Sequence, residues 1–159
     1  MAGLKDMELA KRTFATLCQM LDHDDWHYKK NEEDLSVECG AQGDDLPMEL
    51  NFQVDAERML VMVLSPLPFK IQEDKRLDVA IAVAAINNAL ISGFFDYDIK
   101  TGRMFFRMTN SFIESRLSEA VFHYMLRGAC VVIDEYNDKF LMLSKGMLSI
   151  EQFLTDLNK

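Results

Sequence analysis

The stretch from Leu77 to Ile91, LDVAIAVAAINNALI, limits what this chain can fold into more than any other. Its only charge is Asp78, and Ala80, Ala82, Ala84, Ala85 and Ala89 are strong helix formers. Leu77, Ala80, Ile81 and Ala84 fall on one side of such a helix, and Val79, Val83, Ile86 and Leu90 on the other. A helix that is apolar all round is expected inside a protein. Glu73 and Asp74 bring negative charge to its start, and Gly93 stands where a terminating glycine is expected. The rest of the chain must therefore supply a cover.

Much of that cover reads as antiparallel strands. An amphipathic helix is predicted over Met7 to Leu21, with Ala10, Phe14, Leu17 and Cys18 on its apolar face. Trp26 and Tyr28 open a short strand that turns over through Asn31 to Asp34. Leu35 to Cys39 and Met48 to Val54 alternate with period two, joined by the polar loop Gln42 to Asp45. Asp55, Ala56 and Glu57 make the next turn. Met59 to Leu64 is a more uniformly apolar strand that Pro66 and Pro68 stop. Beyond the central helix, Phe95 to Asp98 and Met104 to Met108 form a hairpin about Ile99 to Gly102, and Asn110 to Arg116 is a linker. Ser118 is the predicted N-cap of a long helix, Glu119 to Leu143, which Gly146 ends. Ser149 and Gln152 form a capping-box pair for a last helix, Ile150 to Leu157. The class is α+β: an antiparallel sheet packed against helices in the order α-βββ-α-ββ-α with a short C-terminal helix. Residues 1–159 are expected to make one domain, because 159 residues with 49% apolar content can bury one core.

Charge and motifs narrow the function by exclusion. With 26 acidic against 17 basic residues the formal charge is −9, which disfavours nucleic acid because no basic stripe is present to meet phosphates. Cys18, Cys39 and Cys130 show no CxxC or Cys-His spacing and suit buried thiols in a reducing compartment. The N-terminal stretch has no apolar signal core, and Val79 to Phe95 is too short and too polar to span a bilayer, so a cytoplasmic location is expected. GxSxG, HExxH, P-loop and GxGxxG motifs are missing, and His123 has no nucleophile at partner spacing, so the chain is read as a non-enzyme. His23, Asp24, Asp25 and His27 are candidate metal donors at a helix-to-strand junction, but no third His or Cys has partner spacing. Neither a metal nor a cofactor is expected.

Two features remain as candidate sites. Asn87 and Asn88 put adjacent amides in an apolar helix, where each needs hydrogen-bond partners. The favoured role is structural, tying the helix to strand ends or to the last helix. A ligand-contacting role in a pocket between sheet and helices is the alternative. Met59, Val61, Met62 and Val63 lie on the apolar strand that another chain could cover, and methionine adapts well to a binding surface.

Between Arg76 and Leu157 stand Ala85-Ile86-Asn87-Asn88, Gly93-Phe94-Phe95-Asp96, Gly102-Arg103-Met104-Phe105-Phe106-Arg107, Leu117-Ser118-Glu119, Asp134-Glu135-Tyr136 and Gly146. In these residues the run resembles the YbjN-like family, described as proposed bacterial sensory transduction regulators. The first half matches only in layout. The resemblance implies a type III secretion chaperone-like fold with no known active site, so no functional residue is carried over. Secretion chaperones of that fold are small acidic homodimers that bind extended segments of a partner. The expectation is a cytoplasmic regulatory or chaperone-like protein whose partner is a protein or peptide, bound by apolar burial on the sheet or strand addition at its edge. A homodimer through the long helix or the apolar strand is also expected. A small-molecule sensor with a pocket near Asn87 and Asn88 is the alternative function.

Overall fold

The computed structural model describes residues 3–158; Met1, Ala2 and Lys159, which the expected domain and the N-terminal reading include, lie outside them. The order of elements is α1 (Leu4–His23), β1 (Tyr28–Asn31), β2 (Ser36–Gln42), β3 (Pro47–Asp55), β4 (Leu60–Pro66), α2 (Arg76–Ala89), β5 (Phe94–Asp98), β6 (Arg103–Ser111), α3 (Glu119–Ser144) and α4 (Ile150–Leu157). This is the α+β arrangement expected, with the short strand after Tyr28 joining as a fourth strand before α2. All six strands form one antiparallel sheet in the order β1-β2-β3-β4-β6-β5. The crossover through α2 carries the chain past β4 so that β6 pairs with it.

One face of the sheet is the core. Leu50, Phe52, Val61, Val63, Phe106 and Met108 point inward beneath α1 and α3 and are almost wholly removed from water. Each such side chain contributes about 1.5–3 kcal/mol of burial. Phe95 anchors one end, its ring meeting Phe106 at 5.3 Å and Phe140 at 5.1 Å in edge-on contacts. The helices lie on this side or at the β5 edge, where α2 packs against α3, α4 and β5. Among the described residues, no helix lies on the opposite face.

Three hairpins share one turn. Asn31 Oδ1 accepts the N–H groups of Glu33 and Asp34, Asp55 Oδ1 those of Glu57 and Arg58, and Asp98 Oδ1 that of Lys100. Four residues after each, the backbone turns left-handed, at Leu35 (φ 51°), Met59 (φ 55°) and Gly102 (φ 73°). Short polar side chains favour such turns because they replace a strand partner with a local one. Leu35 and Met59, expected to begin strands, are instead the last residues of these turns, so β2 begins at Ser36 and β4 at Leu60.

The central helix departs from its expected place. Val79, Ala82, Val83 and Ile86 are buried, but Leu77 is 72% exposed, Ile81 50% exposed, and Ala84 faces water. An all-apolar helix does not force burial of every side here, because α2 sits at the sheet edge with neighbours on one side only. It also stops at Ala89, with Leu90 extended. Gly93 (φ 77°) does not cap it but opens β5, where an added Cβ would lie 2.4 Å from the Phe106 ring.

The other ends follow the local chemistry. Gly146 (φ 68°) closes α3: its N–H reaches Leu143 O and the Met147 N–H reaches Met142 O, a Schellman arrangement. Ser149 caps α4 by accepting the Gln152 N–H at 3.1 Å. Ser118 stands at the N-cap of α3 without a side-chain capping bond. The expected linker from Asn110 is partly strand, since β6 runs through Ser111 and the buried Phe112 donates its N–H to Met59 O.

Candidate interaction surface

β4 is the centre of the sheet, hydrogen-bonded on both sides, so it offers side chains and no free backbone edge. Strand alternation divides the sequence-predicted set. Val61 and Val63 are fully buried against the helices, and Met59 belongs to the turn. Of that set, only Met62 reaches the open face from β4, joined there by Leu60 and Leu64, all three partly exposed. The run Met59 to Leu64 hid this, because both faces are apolar and period two gives no direction.

Register extends the patch across the sheet. Leu64 pairs with Arg107 on β6, which pairs with Phe94 on β5, and Pro66 pairs with Phe105. Phe94 and Phe105 are accordingly open-face aromatics that sequence reasoning left unassigned. The signal was available: Met104, Phe106 and Met108 pointing inward require Phe105 to point out. The Arg107 guanidinium lies 4.9 Å from the Phe94 ring centre and 2.9 Å from an Asp96 carboxylate oxygen, so its charge is paired where it crosses the patch. Glu49, Asn51 and Gln53 form a polar border on β3, with Asn51 Nδ2 donating to Glu49 Oε1 at 2.8 Å.

The sheet edges are poorly suited to strand addition. On β5, Asn87 Nδ2 donates to Phe95 O at 3.0 Å and Asn87 Oδ1 accepts the Phe95 N–H at 2.8 Å. The amide thus occupies the outward groups of Phe95, part of what an added strand would use. Asn88 is exposed, so the two adjacent amides do not converge on one pocket. β1 is four residues long and carries the exposed Lys29 and Lys30, features that blunt an edge.

The metal-donor candidates are dispersed. His23 Nδ1 lies 2.7 Å from Glu119, and Asp24 lies 2.7 Å from His123 Nδ1, so these two pairs fasten the end of α1 to the start of α3. Among the described residues, no group of three or more His, Cys, Asp or Glu is placed to hold a metal ion. Burial pushes the Cys39 thiol up to about 12 and also raises those of Cys18 and Cys130. No helix is long and apolar enough to cross a membrane among the described residues.

At one end of the open face, the segment after β4 is held to β6 by Leu67 N–H to Met104 O (3.0 Å) and Ile71 N–H to Gly102 O (2.8 Å). Between it and the strands is an open cavity of about 650 Å³, bordered by Pro47, Pro66, Phe69, Lys70, Arg103 and Phe105.

No family model matches the chain, and no curated protein matches it. Solved structures do match it, two of them as follows. YbjN from E. coli, described as a proposed transcription regulator, superposes with a TM-score of 0.57 at 14% identity, over 79% of this chain and 92% of that one. The chain has a YbjN-like, chaperone-like fold. A chain of the HopA1-SchA chaperone-effector complex superposes with a TM-score of 0.56 at 13% identity, over 80% of this chain and 95% of that one. At these identities the likeness describes the arrangement of elements and assigns no residue a role.

Proposed function

We propose that this chain is a non-catalytic, cytoplasmic bacterial regulator or chaperone-like protein that works by binding another polypeptide. The observation that carries this reading is the uncovered sheet face, with Leu60, Met62, Leu64, Phe94 and Phe105 crossing three adjacent strands. A contiguous apolar surface with a polar border is the usual mark of an interaction site. One structure sharing the fold was solved as a chaperone-effector complex, which supports the same reading. Binding on the face by side-chain burial fits better than strand addition, given the Asn87 closure of β5.

Affinity purification from the native host, with mass spectrometry of what co-elutes, tests this. A stoichiometric protein retained by the wild type and lost on Met62→Asp is the expected result. Recovery of the chain alone under mild crosslinking would overturn it. Pairing with a second copy is a further reading, supported by the outward stripe Leu77, Ile81 and Ala84 on α2 together with the exposed Tyr124 and Val131 of α3. Light scattering should then show a dimer that Ile81→Glu converts to monomer, and a wild-type monomer would remove it.

A further inference from the structure

The cavity at the end of the open face differs in charge from the rest of the protein, and this specifies a partner chemistry. Its apolar wall is Pro66 and Phe105, which are register partners, together with Phe69. Prolines offer no N–H, so Pro47, Pro66 and Pro68 leave a groove that recognises side chains rather than extending a ladder. Lys70 and Arg103 border it, both exposed, and neither side chain has an ion pair or hydrogen bond among the described residues. The one carboxylate on the lining, Glu49, accepts a hydrogen bond from Asn51. Asp98 on β5 faces Arg103 as its register partner and is held by the Thr101 hydroxyl, and Arg76 adds positive charge nearby. Arg76 Nη1 donates to Lys100 O at 2.6 Å beside Gly102, the residue preceding Arg103. On a chain of formal charge −9, an acidic ligand is repelled by most of the surface and attracted here.

We propose that this groove docks an extended segment of another polypeptide carrying an apolar side chain flanked by Asp or Glu. The apolar side chain enters between Phe69 and Phe105, and the carboxylates meet Lys70 and Arg103. The proposal rests on the polypeptide-binding reading and names the partner chemistry for one end of the same face.

The test is selection of a displayed random peptide library, of about twelve residues, on the full chain. Parallel selections use Lys70→Glu/Arg103→Glu and Met62→Asp, each checked for folding by circular dichroism. Both charged side chains are exposed, so their reversal leaves the core untouched. The expected result is enrichment of acidic-apolar peptides on the wild type. Their affinity should fall about tenfold or more with the charge-reversed protein, and fall again as salt rises. Enriched peptides without acidic bias, or unaffected by the reversal, would overturn the groove assignment while leaving polypeptide binding intact. Loss with Met62→Asp alone would do the same. No enrichment on any form would overturn both. If the reversal dissociates a dimer of the chain itself, the groove belongs to a second copy and the proposal falls.

Discussion

Replacing Asn87 with alanine tests whether the link between α2 and β5 holds the sheet edge. Two hydrogen bonds are lost, to Phe95 N–H (2.8 Å) and Phe95 O (3.0 Å), in a part-buried setting. At ~1 kcal/mol each the loss is about 2 kcal/mol, and more if the Phe95 groups stay dry. Alanine returns about 0.5 kcal/mol through its better helix propensity. The net expectation is a destabilisation of ~1.5–2.5 kcal/mol, or ~3–10 °C in Tm for a chain of this size. Asn88→Ala is the control: the same propensity gain applies, but the exposed Asn88 has no such bonds, so it should be neutral or slightly stabilising. Urea unfolding followed by circular dichroism gives both values, and amide hydrogen exchange at Phe95 locates the effect. Equal stability for the two variants, or unchanged protection of Phe95 in Asn87→Ala, would refute the argument.

Gly102→Ala should be the more damaging change. Gly102 has φ 73°, and an added Cβ would lie 2.4 Å from the main-chain oxygen of Ile71, so the strain cannot be relieved by a side-chain rotation. A loss of ~3 kcal/mol or more is expected in thermal unfolding, and a loss below ~1 kcal/mol would contradict the packing described. Acid should loosen two of the three hairpin turns. The Thr101 hydroxyl, with the Lys100 N–H, holds the Asp98 carboxyl below its ordinary value, and the Arg58 N–H does the same for Asp55. A depressed folded value means that the stabilisation is complete above the unfolded value of ~3.9 and disappears as pH falls through the folded one. Asp98→Asn and Asp55→Asn should therefore shrink the acid limb of the stability profile below about pH 4; an unchanged limb would count against these turns.

Much of the fold was legible in the chain itself. Period-two alternation placed β3 and the β5–β6 hairpin, and the apolar spacing of α1 and α3 placed the two helices that cover the core. Gly146 and Ser149 marked ends that the structure closes as local chemistry requires. These signals are local, set by backbone conformation and by neighbours a few residues away. The turn at Asp55 was legible too, but its length was not. Whether Met59 or Leu60 starts β4 depends on a left-handed residue that any side chain other than glycine disguises.

The candidate surface was decided by tertiary structure. Met59 to Leu64 is apolar at every position, so its composition is the same whichever way the strand faces. Only pairing with β3 and β6 turns Val61 and Val63 into the core and leaves Leu60, Met62 and Leu64 outside. For the same reason α2, apolar on all sides, could be read as central, while its position beside β5 exposes Leu77 and Ile81. The groove combines residues far apart in the chain, Pro47, Pro66 to Lys70 and Arg103 to Phe105, which meet only because α2 returns the chain to pair β6 with β4. Sequence by itself determined which segments are helix and strand, since that choice is made by local periodicity. Which apolar side chains meet the core and which stay outside it was settled by strand order, because direction on a sheet is a property of the neighbours.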